Sequence, residues 1–345
     1  MSREAPIGSP ELGGASRFRR KWAARVLQWE FILFVILVLV FIINSNLSPY
    51  FLDLGNLLDS TSNFMEKAIV ALPMTFVILC GDIDISVASI IALSSVFMGM
   101  VSAAGGSVLE IMTVGLAVAS AAGFLNGILI TRFNIPSIAV TIGSFSLFRG
   151  IAYVILGDQA YTKYPKAFAY FGQGYIGNTP VPFELVLFIA LAIVFAVLLR
   201  RTTFGRRVYS LGNNSTAARF SGVNVSRIRL IVFTLNGLFS GIASILLTSR
   251  IGSTRPNIAE GWELEIITTV VLGGVAITGG KGNIWGVIIG IFLLGFLQFG
   301  MGLINVPGKV MNIVTGFMLI FAIMLPGFLK QLRLRLEGAA VAQKE

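Results

Sequence analysis

Two carboxylates, Asp82 and Asp84, stand one residue apart in the run Cys80-Gly81-Asp82-Ile83-Asp84-Ile85-Ser86, and apolar sequence closes on them from both sides. Residues 68–79 and 87–101 are each too apolar to face water, and each approaches the roughly 20 residues of a bilayer-spanning helix. A charge at bilayer depth costs about 2.5–3.5 kcal/mol on insertion scales. Asp82 and Asp84 must therefore sit at an interface, in a water-filled vestibule or against protein partners. Gly81 allows a sharp reversal, and because the apolar run resumes at once the chain turns straight back. Asp84 could accept bonds from the freed amides of the next helix, whose N-terminal dipole favours an anion, and Ser86 or Ser89 could cap in the same way. The plain reading is a structural cap beside a pathway. The functional one is a contact with whatever passes through.

Three amides, Asn126, Asn236 and Gln298, lie inside other apolar runs. They are candidate pathway contacts for a neutral polar solute, or hydrogen-bonding glue between helices. The basic loop 200–229 holds a third feature. Asn214 or Ser215 reads as a helix start and Gly222 as a stop, enclosing Ala217, Ala218, Arg219 and Phe220. A short capped helix with Phe220 on one side suits a groove on a soluble partner, whereas the arginines alone fit a loop held to anionic lipid. Gly279-Gly280-Lys281-Gly282 is not a phosphate loop: Val275 stands where glycine is needed, and Gly282 where Ser or Thr would bind magnesium. It reads as a tight turn after an apolar span. With no nucleotide site in the chain, energy from ATP would have to arrive through a partner.

The elements that position these groups are apolar helices. Of 345 residues, 55% are hydrophobic and only 12% charged, with mean hydropathy +0.85, which is membrane composition. Solid apolar runs exclude an outer-membrane barrel, whose strands alternate. About ten spans are expected: 29–43, 64–79, 85–104, 108–130, 136–156, 183–199, 230–248, 264–277, 284–301 and 310–325. A 1–28 tail, a 29–328 membrane domain and a 329–345 tail follow from them. The net charge of +10 is concentrated before the first span (Arg17, Arg19, Arg20, Lys21, Arg25), in the 200–229 loop and after the last span (Lys330, Arg333, Arg335). That is positive-inside bias, with both termini cytoplasmic, and not a nucleic-acid surface. One cysteine and no histidine exclude an internal disulfide and most metal chemistry. No cleavable signal peptide is expected either. Trp22, Trp29, Trp262 and Trp285 fall at span ends, and the outward segment 157–182, carrying Tyr161, Tyr164, Tyr170 and Tyr175, suits docking of a protein.

An internal repeat adds topology. Gly123-Phe124-Leu125-Asn126 followed by Asn134-Ile135-Pro136 matches Gly295-Phe296-Leu297-Gln298 followed by Asn305-Val306-Pro307, and Leu79-Cys80-Gly81 is echoed by Leu272-Gly273-Gly274. The fourth span thus matches the ninth, and an odd offset inverts the second copy, which is a transporter signature. Gly123/Gly127, Gly237/Gly241 and Gly282/Gly286/Gly290 recur at every fourth position and predict close helix packing.

Gly81-Asp82-Ile83-Asp84-Ile85-Ser86-Val87-Ala88-Ser89 resembles the Gly-Gly-Ile-Asp-Leu-Ser-Val-Gly-Ser signature of ribose-type ABC sugar importer permeases. Val271-Leu272-Gly273-Gly274 with Gly279-Gly280-Lys281-Gly282 is similar to their second signature, and Gly212–Gly222 to their ATPase-engaging segment. The phrasing around Ser60-Thr61-Ser62 and Ile69-Val70-Ala71-Leu72-Pro73 looks most like the rhamnose and autoinducer-2 branch. Asp82 and Ala88 depart from the pattern, replacing glycines. The resemblance implies an all-α, type II-like ABC permease moving a monosaccharide or polyol across the bacterial inner membrane. It also implies a second permease subunit, identical or not, ATPase subunits that hold the ATP and magnesium, and a periplasmic binding protein. Asp82, Asp84, Ser86, Asn126, Asn236 and Gln298 become its candidate pathway, and Asn214, Ser215, Ala217, Ala218, Arg219, Phe220 and Gly222 its coupling segment. Two other readings of the acidic pair are an ion-coupled secondary transporter and a membrane enzyme using Asp82 and Asp84 on magnesium, though no second acidic cluster accompanies them.

Overall fold

The computed structural model describes residues 29–324; the basic tails with Trp22, Lys330, Arg333 and Arg335 lie outside the described residues. The regular secondary structure of the described residues is helical. In order it forms α1 (Trp29–Leu47), α2 (Leu54–Leu79), α3 (Val87–Ala103), α4 (Val108–Arg132) and α5 (Ser137–Leu156), then the short α6 (Tyr170–Gln173). There follow α7 (Phe183–Arg201), α8 (Thr203–Asn213), α9 (Ser215–Phe220), α10 (Val225–Ile251), α11 (Trp262–Leu272), α12 (Ile284–Leu303) and α13 (Gly308–Met324). All ten expected apolar segments fall on helices, and seven of these are long and apolar enough to cross a membrane.

Capping residues set the starts. The Asp53 carboxylate accepts the Asn56 amide, Ser107 and Glu110 form a reciprocal capping box on α4, and Asn224 accepts the Arg227 amide at α10. Two boundaries differ from expectation. Helix α2 begins at Leu54 rather than residue 64, because Asp53 caps it and the Ser60 and Thr61 hydroxyls fold back onto the Leu57 and Leu58 carbonyls. Helix α11 has 11 residues, about 16 Å of rise and half of a hydrocarbon core, because the chain leaves the helix at Gly273-Gly274, the latter at φ 87°. The expected eighth span, 264–277, is therefore a half-helix.

The long helices α2 and α10 form the buried centre, while α1, α5, α7 and α13 carry exposed apolar side chains such as Ile43, Val154, Ile193 and Ile313, a surface suited to lipid. Glycine lets α4 meet α10 backbone to backbone: a Cβ on Gly123 would lie 2.8 Å from the Gly237 Cα.

The repeat is visible in the backbone. Asn134 and Asn305, each two residues before a proline, adopt left-handed φ of 52° and 57°, a conformation that asparagine tolerates. Asn134 follows α4 and Asn305 follows α12. The C-terminal end of α4, where Gly127 meets Leu230, lies at the end of the bundle where α12 begins and Asn283 reaches Arg200 and Glu30. The two helices run in opposite senses, so the copies are inverted. One pairing needs correction. Leu272-Gly273-Gly274 lies at the same end as Leu79-Cys80-Gly81, where the Gly280 amide donates to the Leu79 carbonyl at 2.9 Å, and inverted mates cannot share an end. The counterpart of Gly81 (φ 79°) is Gly252 (φ 66°), which closes α10 as Gly81 follows α2.

Gly123→Leu should destabilise the protein by about 1–3 kcal/mol or prevent folding, because backbone faces it and cannot yield. Gly143→Leu on α5, with nothing within 4 Å, should leave the melting temperature in detergent unchanged.

Candidate functional site

The α2–α3 break runs inward along α10. Asp82 faces Arg229 and Asp84 faces Asn236, seven residues further along α10, which is about 10 Å of helix rise. Within the bilayer every freed backbone group needs a partner from the protein. The Asp82 amide reaches back to the Val77 carbonyl, and the Ile83 carbonyl accepts the Thr141 hydroxyl at 3.3 Å. Asp84, fully buried, spends both oxygens: Oδ1 accepts the Ser86 amide (2.9 Å) and hydroxyl (2.6 Å), and Oδ2 accepts the Asn236 side-chain amide (2.8 Å). The Ser86 hydroxyl in turn accepts from Asn126 at 2.8 Å. Four of the six expected pathway residues, Asp84, Ser86, Asn126 and Asn236, thus meet. Asp84 ties α3, α4 and α10 together and leaves only the Asn126 and Asn236 amide oxygens unpartnered. Neither Ser86 nor Ser89 caps α3 with its side chain, contrary to that expectation; Ser89 donates to the Ser86 carbonyl instead. Arg229 Nε lies 2.8 Å from Asp82, paired by charge but out of line for a hydrogen bond. The two carboxylates face different partners and do not converge on a common ion.

Gln298 stands apart, in a second cluster. Lys67 donates to Glu265 (2.6 Å) and lies 3.4 Å from Gln298, whose amide also reaches Glu265 and Thr315 at 3.3 Å each. These groups border a cavity of about 20 Å³, room for one water. The neighbouring Glu66 pairs with Arg250 at 2.6 Å on an adjacent face of α2, and Glu184, 1% exposed with neither oxygen partnered, lies beside that pair. Sequence reasoning missed these charges. Glu66-Lys67 inside the expected 64–79 span was signal enough, since ionisable residues are rare in such runs.

At the end shared by Trp29 and Asp82 the loop 200–229 folds onto the membrane domain. Tyr209 donates to the Gly282 carbonyl, and Gly212 packs on the Leu79 carbonyl and the Gly280 amide. Three glycines of positive φ, Gly279, Gly280 and Gly282, shape this turn. Beyond it stands α9, capped by Asn214, whose carbonyl oxygen accepts the Ala217 amide at 2.9 Å, and closed by Gly222 at φ 82°. Ala218 is buried while Arg219 is exposed and Phe220 is 89% exposed.

Residues 56–323 match the family described as branched-chain amino acid transport system / permease component. The ribose import permease protein RbsC of Bacillus subtilis is 36% identical over 296 residues, 85% of this chain and 90% of that protein. The autoinducer 2 import system permease proteins LsrD of Yersinia enterocolitica and Photorhabdus temperata are 36% and 35% identical over 301 residues, 86% of this chain and 90% of theirs. No solved structure matches it significantly. The chain belongs to this permease family.

In this permease the opposite end carries the 157–182 segment. Two of its expected docking tyrosines are instead fasteners: Tyr161 pairs through its backbone with Thr254, and Tyr164 stacks on Phe168 and shares a 2.6 Å hydrogen bond with the Thr254 hydroxyl. Burial pushes the Tyr164 phenol up to about 12, so it stays protonated. Tyr170 and Tyr175 remain exposed. Trp29 is likewise an internal contact, donating to the Leu272 carbonyl at 2.8 Å, whereas Trp285 is 49% exposed near the start of α12.

Asp84→Ala should destabilise the permease by about 2–4 kcal/mol, because the Asn236 amide and Ser86 hydroxyl lose their acceptor in a dry site. Asp82→Asn should cost about 1 kcal/mol or less, since Arg229, 30% exposed, can turn to water. Thermal unfolding in detergent measures both, and equal losses would overturn the different roles given to the two acids.

Proposed function

We propose that this permease is the membrane-spanning subunit of a bacterial ABC importer for a monosaccharide or related polyol, powered by ATP hydrolysis on a separate ATPase subunit. The observation that carries the reading is α9: a capped helix of six residues that buries Ala218 and presents Arg219 and Phe220 outward, in a permease family with import permeases among the relatives. Asn214, Ser215, Ala217, Ala218, Arg219, Phe220 and Gly222 form the coupling segment, with Phe220 entering a groove on the ATPase, where ATP and magnesium reside. The positive-inside charge distribution supports a cytoplasmic 200–229 loop and cytoplasmic tails, 1–28 and 329–345, around a 29–328 membrane domain in the inner membrane. A periplasmic binding protein then docks at the other end, on the 157–182 loop with its exposed Tyr170 and Tyr175. A second permease subunit completes the pathway.

ATP-driven closure of the ATPases moves α9, and the motion reaches the membrane domain through α8, whose Gly212 is seated between Leu79 and Gly280. Asp82, Asp84, Ser86, Asn126 and Asn236 brace the interrupted helix during that motion. The ribose and autoinducer-2 permeases among the relatives support a hydroxylated cargo. An ion-coupled reading finds no support, because Asp84 is already saturated with hydrogen bonds and Asp82 is neutralised by Arg229.

Arg219→Glu with Phe220→Ala should abolish ATP-driven uptake while the protein still reaches the membrane, since neither side chain is buried. Full uptake by that variant would overturn the coupling role. The permease alone in vesicles should accumulate no solute on a proton or sodium gradient.

A further inference from the structure

The two inverted halves each carry a break after their central helix, and the two breaks are built for different work. The first, at Gly81–Ser86, is filled from within: Asp84, Ser86, Asn126 and Asn236, all buried, bond to one another. The second, after Gly252, borders a vestibule of about 590 Å³, within the ~300–1,000 Å³ typical of small-molecule sites. It lies at the far end of α10 from α9, some 40 Å of helix away.

The chain there is irregular, passing from a bridge at Thr254 into successive turns, and is anchored at alternate positions. Thr254, Pro256 and Ile258 face inward, while Arg255 and Asn257 face out. Thr254 is fixed by hydroxyl bonds to Ser95 (2.6 Å) and Tyr164 (2.6 Å), and Arg149 clamps the Pro256 and Ile258 carbonyls at 2.6 and 2.8 Å. A strip held so firmly presents Arg255 and Asn257 in a fixed register. Arg250, Ser253 and Trp262 line the same space. Arg250 is held in place by Glu66, and Trp262 has the Lys67 ammonium 5.4 Å from its ring centre.

We infer that this second break is a solute-accepting vestibule for a polyhydroxylated neutral molecule, with Arg255 and Asn257 as hydrogen-bonding contacts and Trp262 as the apolar surface for the sugar ring. The inference rests on the import-permease reading and moves the solute contact away from the acidic first break. The chemistry of the lining selects the class. It offers guanidinium, amide and hydroxyl donors, and no carboxylate borders it. Vicinal hydroxyl oxygens can accept from such a set. The ammonium group of an amino acid would find no counter-charge there, although the family description names branched-chain amino acids.

The test uses the assembled transporter in proteoliposomes, with D-ribose, L-rhamnose and L-leucine as probes. Arg255→Ala and Asn257→Ala should each lower sugar delivery per ATP hydrolysed about tenfold, the loss of one strong hydrogen bond, while binding-protein-stimulated hydrolysis persists. Independently, Asn257→Cys gives an exposed thiol in a chain whose own Cys80 is buried. The transported sugar should slow its alkylation, and leucine should not. If both alanine variants deliver sugar normally, or leucine protects the thiol as well as sugar does, the vestibule assignment is wrong. If the unmodified transporter moves leucine and no sugar, the sugar reading of the permease itself falls.

Discussion

A peptide group without a partner is intolerable in hydrocarbon, and this fold contains chain that leaves the helical state at membrane depth. The constraint explains why the most polar residues of the interior cluster where they do. Asp84 stands in for a missing backbone acceptor and does more besides: it takes the amide and hydroxyl of Ser86 and holds Asn236 of the opposite half. The acid belongs to the first half and its amide partner to the second, so one hydrogen bond crosses the pseudo-symmetry boundary near the core. The bundle can interrupt its central helices because each interruption is lined with side chains that substitute for backbone.

The two ends of the molecule use glycine and hydroxyl groups for opposite purposes. At the α9 end, glycines remove side chains so that three segments touch through backbone alone, with the Gly280 amide on the Leu79 carbonyl and Gly212 pressed against both. Such contact is short and stiff, suited to passing a displacement. At the other end, the hydroxyls of Ser95, Thr248, Thr254 and Tyr164 form a chain of bonds that fixes a loop in place.

Much of this was legible in the residues. Solid apolar runs marked every membrane helix, the Asn214 start and Gly222 stop marked α9, and the paired Asn-x-Pro clusters marked an inverted repeat that the left-handed Asn134 and Asn305 make physical. Hydropathy averaging misplaced the start of α2, because its first ten residues are polar yet capped, and it overran α11, where two glycines end the helix after 11 residues. Averaging also hid Glu66, Lys67 and Glu184, whose neighbours outweigh them in any window. That Gln298 would join Lys67 and Glu265, rather than the Asp84 cluster, depends on which helices become neighbours. Spacing along the chain does not carry that information.

Glu66 and Lys67 are consecutive on α2 and so point about 100° apart, one held by Arg250 and the other by Glu265. The helix is thereby keyed like a shaft, unable to turn about its own axis without breaking one ion pair. The key is cut long before its lock exists, because Arg250 and Glu265 follow their partners by 184 and 198 residues. During synthesis α2 is made before either lock, so neither of these ion pairs can close until α10 and α11 have followed.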